Sequence, residues 1–230
     1  MQIGVDEAGK GPVLGSMFAA AVRAPADAIP EGVRDSKELA PERREELAAA
    51  LRAEERVAVG LAEVTPSRID DPETDMNTLT VAAHAEALDA VAVAGDTTYL
   101  DAGDVNAVRF ERRVSERLRT GIDLRGEHGA DAAYPVVAAA SVIAKVERDA
   151  HVEAIAAEYG EVGSGYPGDA TTRGFLESYV DEHGRLPDCA RTSWSTSREM
   201  LAEREQAHLG AFGEEGSTER ENSASDGREH

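Results

Sequence analysis

The sequence predicts an α/β fold, a mixed central sheet flanked by helices with a helical C-terminal part. Three observations lead there. Two strand-like runs open the chain, and helical segments then alternate with further strands, the order of a layered α/β protein. Two of the short apolar strands end on an aspartate, Asp6 and Asp101. From about residue 135 the chain reads as helical, beginning with a long alanine- and valine-rich stretch.

Residues 2–6 read as a strand and 15–24 (GSMFAAAVRA) as a second, after a Gly-Pro turn. Pro41 suits the first turn of a helix, which runs to about Glu54 with Leu47 and Leu51 on one face. Residues 56–64 (RVAVGLAEV) resemble a strand. Asn77 is a candidate cap for a helix reaching about Val93. Residues 97–101 (TTYLD) form a short strand, 105–119 a charged helix and 121–128 another strand. A long helix starts near Pro135 and continues through Ala157, and a further helix covers roughly 171–183. The expected catalytic domain is 1–201. Residues 202–230 form an acidic tail, and the stretch 214–230 lacks the apolar content needed to order it.

Composition narrows the function. The chain has 230 residues, 41% of them hydrophobic, enough for a substantial core. No apolar run is long enough to span a bilayer, and no basic-then-apolar leader is visible. A single cysteine, Cys189, excludes an internal disulfide and a thiolate metal cluster. A cytoplasmic protein is expected. The formal net charge is −21, from 45 acidic and 24 basic residues. Such a surface repels nucleic acid at low salt. At molar salt the Debye length falls to about 3 Å, so the acid surplus reads as adaptation to a salt-rich cytoplasm. Lysine is scarce: Lys10, Lys37 and Lys145 are the only three, and each sits inside a motif-like segment.

Chemistry concentrates in Ile3-Gly4-Val5-Asp6-Glu7-Ala8-Gly9-Lys10-Gly11-Pro12. Asp and Glu are poor strand formers, so ending a buried strand on them calls for a reason, and hard divalent cations take oxygen ligands. Gly9 and Gly11 let backbone amides approach a phosphate, and Lys10 adds a point charge. Asp101 closes a later strand, and Asp131 precedes the long helix. If the strands bearing Asp6 and Asp101 are neighbours, their ends meet at one edge of the sheet. Converging carboxylates raise each other's pKa unless a cation compensates. Two divalent ions about 3.5–4 Å apart are a setting for phosphoryl transfer. The alternative on spacing alone is a set of solvated surface acids. Gly4 to Lys10 also fits G-x-x-x-x-G-K, the opening of a nucleotide-binding loop. That reading fails at Gly11, where a hydroxyl residue is required, and at Asp6 and Glu7, which would repel phosphate from inside the loop.

Several blocks in order resemble one family. Val5 to Pro12 is similar to the signature of type 2 ribonucleases H, the ribonuclease HII family. Asp35-Ser36-Lys37, Leu100-Asp101-Ala102, Ala130-Asp131 with Tyr134 to Val146, and Gly163-Ser164-Gly165-Tyr166-Pro167 resemble its other elements, and Arg191-Thr192-Ser193-Trp194 resembles one more. The likeness covers roughly residues 1–195. The resemblance implies a ribonuclease H-like fold and a monomeric endonuclease of DNA replication and repair. Its substrates would be RNA/DNA hybrids and single ribonucleotides embedded in duplex DNA, and its products 5′-phosphate and 3′-hydroxyl ends. It implies that Asp6, Glu7, Asp101 and Asp131 bind Mg²⁺ or Mn²⁺, two ions with substrate present. It implies that Gly9, Lys10 and Gly11 contact the backbone at the RNA–DNA junction and that Tyr166 reads the junction sugar. Lys37 and Lys145 join them as substrate-binding candidates; Lys145 and Arg148 lie one helical turn apart. The motif's position at residue 6 favours this family over the related ribonuclease HIII family, which carries an N-terminal extension. Lys10 stands where the family often has arginine. A non-catalytic hybrid-binding protein of the same fold is the rival reading; it calls for a missing carboxylate, and all four are present. Finally, Gln206-Ala207-His208-Leu209-Gly210-Ala211-Phe212 resembles the Q-x-x-L-x-x-F core of a sliding-clamp-binding peptide, with Gly213 where a second aromatic is usual. The alternative there is a last helix packing Leu209 and Phe212 onto the domain.

Overall fold

The computed structural model describes residues 1–33 and 39–206. Lys37, Leu209 and Phe212 lie outside the described residues, and Gln206 is the last one inside them. Five strands, β1 (Gln2–Ala8), β2 (Met17–Ala24), β3 (Ala58–Val64), β4 (Thr97–Asp101) and β5 (Asp123–Glu127), form one sheet in the order β3-β2-β1-β4-β5. β2 runs antiparallel to both β1 and β3, whereas β4 is parallel to β1 and β5 to β4. The sheet is mixed, as expected.

Side chains alternate along these strands and divide the core in two. Ile3 and Val5 of β1, with Met17, Ala19 and Ala21 of β2, meet α3 (Met76–Asp89), which follows the one-turn helix α2 (Pro66–Ile69), on one face. Ala20, Val22 and Ala24 of β2 meet the long helix α6 (Pro135–Tyr159) on the other. Every residue from Val136 to Ala144 is buried, and their small side chains let the helix lie close to the sheet. A methyl group built on Gly4 would fall 2.2 Å from the Val136 carbonyl carbon, so this contact requires glycine. α1 (Pro41–Ala53) buries Leu47 and Leu51 beside α6, as its leucine spacing predicts. A third cluster joins Val13 and Leu14 to the end of α6, to α7 (Ala170–His183) and to Met200. Met200 belongs to helical backbone over 195–206, which continues across the boundary expected at 201.

Element edges differ from the sequence reading for identifiable reasons. α3 is capped by Asp75, whose carboxylate accepts from the Thr78 amide, and not by Asn77, which lies inside the helix. That helix ends at Asp89, short of Val93. β1 continues two residues past Asp6, and β3 starts at Ala58 rather than at 56. Asp131 sits within a separate one-turn helix, α5 (Ala130–Ala133), ahead of α6. The charged helix is shorter than expected, α4 (Ala107–Ser115).

Candidate functional site

β1 and β4 are parallel neighbours with Val5 opposite Leu100, so Asp6 and Asp101 leave the sheet at the same edge. Gly129, at φ +68°, turns the chain after β5 into α5 and brings Asp131 to that edge. One carboxylate oxygen from each of Asp6, Asp101 and Asp131 lies within 4.8 Å of the others. Asp6 and Asp131 are buried and Asp101 is half-buried. Backbone amides fix all three orientations: Glu7 N–H donates to Asp6 Oδ1 at 2.8 Å, Gly129 N–H to Asp101 Oδ1 at 3.0 Å and Ala132 N–H to Asp131 Oδ1 at 3.0 Å.

Glu7 stands apart from this cluster. Because β1 extends through Ala8, residues 6 and 7 point to opposite faces. Glu7 turns toward α3, where its Oε2 lies 2.7 Å from His84 Nε2. Three of the four expected acids thus share one cluster, and Glu7 stands at the same strand end, lining the groove beside it. Gly103 makes the room, since a methyl there would fall 2.6 Å from Glu7 Oε1.

Burial pushes the Asp6 carboxyl up to about 8, and the nearby charges of Glu7 and Asp101 push the same way. A hydrogen bond with the Ser141 side chain and the Glu7 amide oppose this. Carboxylate oxygens gathered so closely, one of them resisting ionisation at neutral pH, form a donor set suited to a hard divalent cation.

Beside the acids runs a groove of about 450 Å³, lined by Glu7 to Gly11, Arg44, Lys145, Arg148, Asp149 and Tyr166. Gly9, at φ +86°, turns the chain out of β1 into the groove wall. The Lys10 ammonium donates to the Gly103 carbonyl and to Asn77 Oδ1, which draws it to the Asp101 side of the groove. Arg148 and Lys145 project from α6, and the Arg148 guanidinium lies 5.0 Å from the centre of the Tyr166 ring. Tyr166 is 43% exposed. Its loop is set by the start of α7: Asp169 accepts from Ser164 N–H and Oγ at 2.6 Å, and Gly165 N–H donates to Thr172 Oγ1 at 2.9 Å. A basic groove therefore crosses an otherwise acidic protein at the carboxylate cluster. Three residues of the site escaped sequence reasoning. Ser141 left a signal, as the single polar residue in the buried run Val136–Ala144. His84 is fully buried but shows no ligand spacing, and Arg44 sits in an ordinary charged helix.

Residues 3–197 match the family model for Ribonuclease HII. The chain belongs to the ribonuclease HII family. It is 60% identical over 212 residues to the ribonuclease HII of Haloarcula marismortui, spanning 92% of this chain and 100% of that one. Among solved structures it is similar to ribonuclease H2 from Pyrococcus horikoshii OT3, with a TM-score of 0.81 and 36% identity over 88% of this chain and 97% of the other. It is also similar to the ribonuclease HII of Archaeoglobus fulgidus solved as a complex with PCNA, with a TM-score of 0.77 and 36% identity over 87% and 96% of the two chains. The fold is that of the type 2 ribonucleases H, and the protein is an endoribonuclease of the haloarchaeal kind. Among the described residues of this ribonuclease HII, no helix is long and apolar enough to cross a membrane.

Proposed function

We propose that this ribonuclease HII hydrolyses the RNA strand of RNA/DNA hybrids and ribonucleotides embedded in duplex DNA, leaving 5′-phosphate and 3′-hydroxyl ends in a divalent-metal-dependent reaction. The convergence of Asp6, Asp101 and Asp131 beside a basic groove carries this reading. Asp6, Asp101 and Asp131 would hold Mg²⁺ or Mn²⁺, two ions when substrate is bound, with Glu7 joining them from the same strand end, where it lines the groove and its charge acts on Asp6. When bound, such ions supply an activated water and stabilise charge on the leaving oxygen. The chain's own residues do the rest by positioning. Ser141 and the Glu7 amide hold the Asp6 carboxyl in place. His84 holds Glu7 from the opposite face. Lys10, Lys145, Arg148 and Lys37 supply cations for the phosphates, and the Gly9–Gly11 backbone lies at the junction. The Tyr166 ring, steadied by Arg148, reads the sugar whose 2′-hydroxyl distinguishes RNA from DNA.

A duplex carrying one ribonucleotide tests this directly. With Mg²⁺ or Mn²⁺ the strand is expected to be cut on the 5′ side of the ribonucleotide, and activity is expected to persist into molar KCl, where surface repulsion is screened. Chelation of the metal is expected to stop cleavage; a cut that continues in excess EDTA would refute the metal-dependent mechanism.

On this reading residues 1–201 are the catalytic unit, cytoplasmic and monomeric, and 202–230, which begins within the helical stretch 195–206, is the tail that carries a clamp-binding peptide. The peptide Gln206 to Phe212 is read as a sliding-clamp ligand, supported by its Q-x-x-L-x-x-F pattern and by the PCNA complex of the Archaeoglobus fulgidus relative. The cognate clamp is expected to retain the protein in a pull-down. Phe212→Ala is expected to weaken retention roughly tenfold, as loss of an aromatic anchor does. Equal retention of both proteins counts against the assignment.

A further inference from the structure

Between β1 and β2 the chain passes through Gly9, Lys10, Gly11, Val13 and Gly15, and one side chain lies behind that passage. Arg191, on the segment that follows α7, is fully buried. Its Nε donates to the Gly15 carbonyl at 2.8 Å, Nη1 to the Lys10 carbonyl at 3.0 Å and Nη2 to the Gly9 carbonyl at 2.6 Å. Its own backbone N–H donates to the Val13 carbonyl at 2.8 Å. The neighbouring Trp194 donates from Nε1 to the Gly11 carbonyl at 3.2 Å, and its ring lies 4.9 Å from the Arg191 guanidinium. The carbonyls of three consecutive residues, Gly9, Lys10 and Gly11, are therefore all held by two side chains from one short segment. That segment is anchored in turn by Asp70, which accepts from the amides of Thr192 and Ser193 at 2.8 and 2.9 Å.

Taking a guanidinium out of water is costly, and burial holds the Arg191 pKa down to about 10. Packing two segments together does not require that cost, since apolar side chains do it as well. What only arginine offers is a rigid planar fork of five donors, able to take several carbonyls at once. The consequence lies on the other side of the peptide planes. In a trans peptide the C=O of one residue points opposite the N–H of the next, and no peptide bond among the described residues is cis. Pulling the Gly9 and Lys10 carbonyls inward therefore turns the amides of Lys10 and Gly11 outward, along the wall of the groove. Gly9 adopts φ +86° with the Ser16 carbonyl crowding the place of its missing side chain, so this turn has little freedom of its own.

The geometry points to Arg191 as a positioning residue for substrate: its fork sets the Gly9–Gly11 loop so that the amides of Lys10 and Gly11 face the substrate backbone. The assignment rests on the nuclease reading above, and it gives Arg191 no contact with substrate. Its signature is a defect in binding rather than in the chemical step. In steady-state cleavage of the single-ribonucleotide duplex with Mg²⁺, Arg191→Met is expected to raise KM roughly tenfold with kcat within about threefold. Arg191→Lys keeps the charge but not the fork, and Trp194→Phe removes the bond to the Gly11 carbonyl while keeping an aromatic ring beside Arg191; each is expected to raise KM about threefold. Hydrogen exchange at the Lys10 and Gly11 amides is expected to quicken in Arg191→Met while the β1 and β2 amides stay protected. If Arg191→Met lacks a cooperative thermal transition, the two milder variants decide. KM within twofold of the parent in every folded variant overturns the assignment, and so does a fall confined to kcat. Should the parent protein itself fail to cleave, the nuclease reading falls, and amide exchange alone then decides whether Arg191 sets the loop.

Discussion

Asp6→Asn is expected to lower cleavage of a ribonucleotide-containing duplex by about a thousandfold or more, because it removes a charged ligand at the centre of the acidic cluster. The same substitution is expected to stabilise the metal-free protein above neutral pH. Burial first, then the charges of Glu7 and Asp101, hold the Asp6 carboxyl at about 8, against an ordinary aspartate value of 3.8. The folded protein therefore binds this proton more tightly than the unfolded chain does. Its contribution to stability is fully present below about pH 4 and is lost as pH rises through about 8. Above that, an ionised carboxylate buried beside two others costs on the order of a few kcal/mol. Asparagine never incurs that cost. In EDTA, the melting temperature of Asp6→Asn is expected to match the parent near pH 4 and to exceed it by roughly 5–10 °C at pH 9. Added Mg²⁺ or Mn²⁺ is expected to close that gap by stabilising the parent alone. Retention of a tenth of the parent's activity would remove Asp6 from the mechanism. A melting difference that does not change with pH would remove the strained carboxyl.

Much of this site was legible in the primary structure, because a carboxylate ending an apolar strand is visible as a local pattern. Asp6 and Asp101 each have that form, and parallel pairing of β1 with β4 brings them to one edge. The place of Glu7 was hidden by two residues of strand. Ending β1 at Asp6 leaves Glu7 in a loop free to turn inward, whereas a strand through Ala8 sends it to the opposite face. The cap of α3 was missed for a related reason. Asp75 and Asn77 are both good capping residues, and the choice fell to Asp75, whose carboxylate also takes the Thr78 hydroxyl. Arg44 left no local pattern, and the Arg191-Thr192-Ser193-Trp194 block did not show what Arg191 holds. Arg44 joins the groove from a helix whose partner, Asp149, lies 105 residues away, and Arg191 reaches back 182 residues to Gly9. Such contacts are made by the packing of elements, which periodicity does not encode.

The closeness of that packing makes Gly4→Ala the most damaging single methyl that this protein is expected to meet. The added carbon would fall 2.2 Å from the Val136 carbonyl carbon and 2.3 Å from its oxygen and from the Val137 nitrogen. All three are backbone atoms at the start of α6, so no rotamer change relieves the clash. Either α6 lifts from β1 or the strand bends away. The backbone of Gly4 itself does not lie in the left-handed region, so the cost is one of packing and not of conformation. Overpacking of this kind costs about 3 kcal/mol or more, which in a chain of this size lowers the melting temperature by roughly 6–12 °C. Gly121→Ala is the matched control, since nothing lies within 4 Å of the added methyl; its effect is expected to stay within about 0.5 kcal/mol. The damage is also expected to reach the site. α6 carries Ser141, which hydrogen-bonds Asp6, and Lys145 and Arg148, which line the groove. A lifted helix shifts all three together relative to an edge of the sheet that stays where it is. Calorimetry and cleavage at 25 °C, where both variants remain folded, read the two effects separately. A Gly4→Ala protein that melts within 2 °C of the parent would mean that α6 does not press on β1 at this point, and the coupling of helix to carboxylates would go with it.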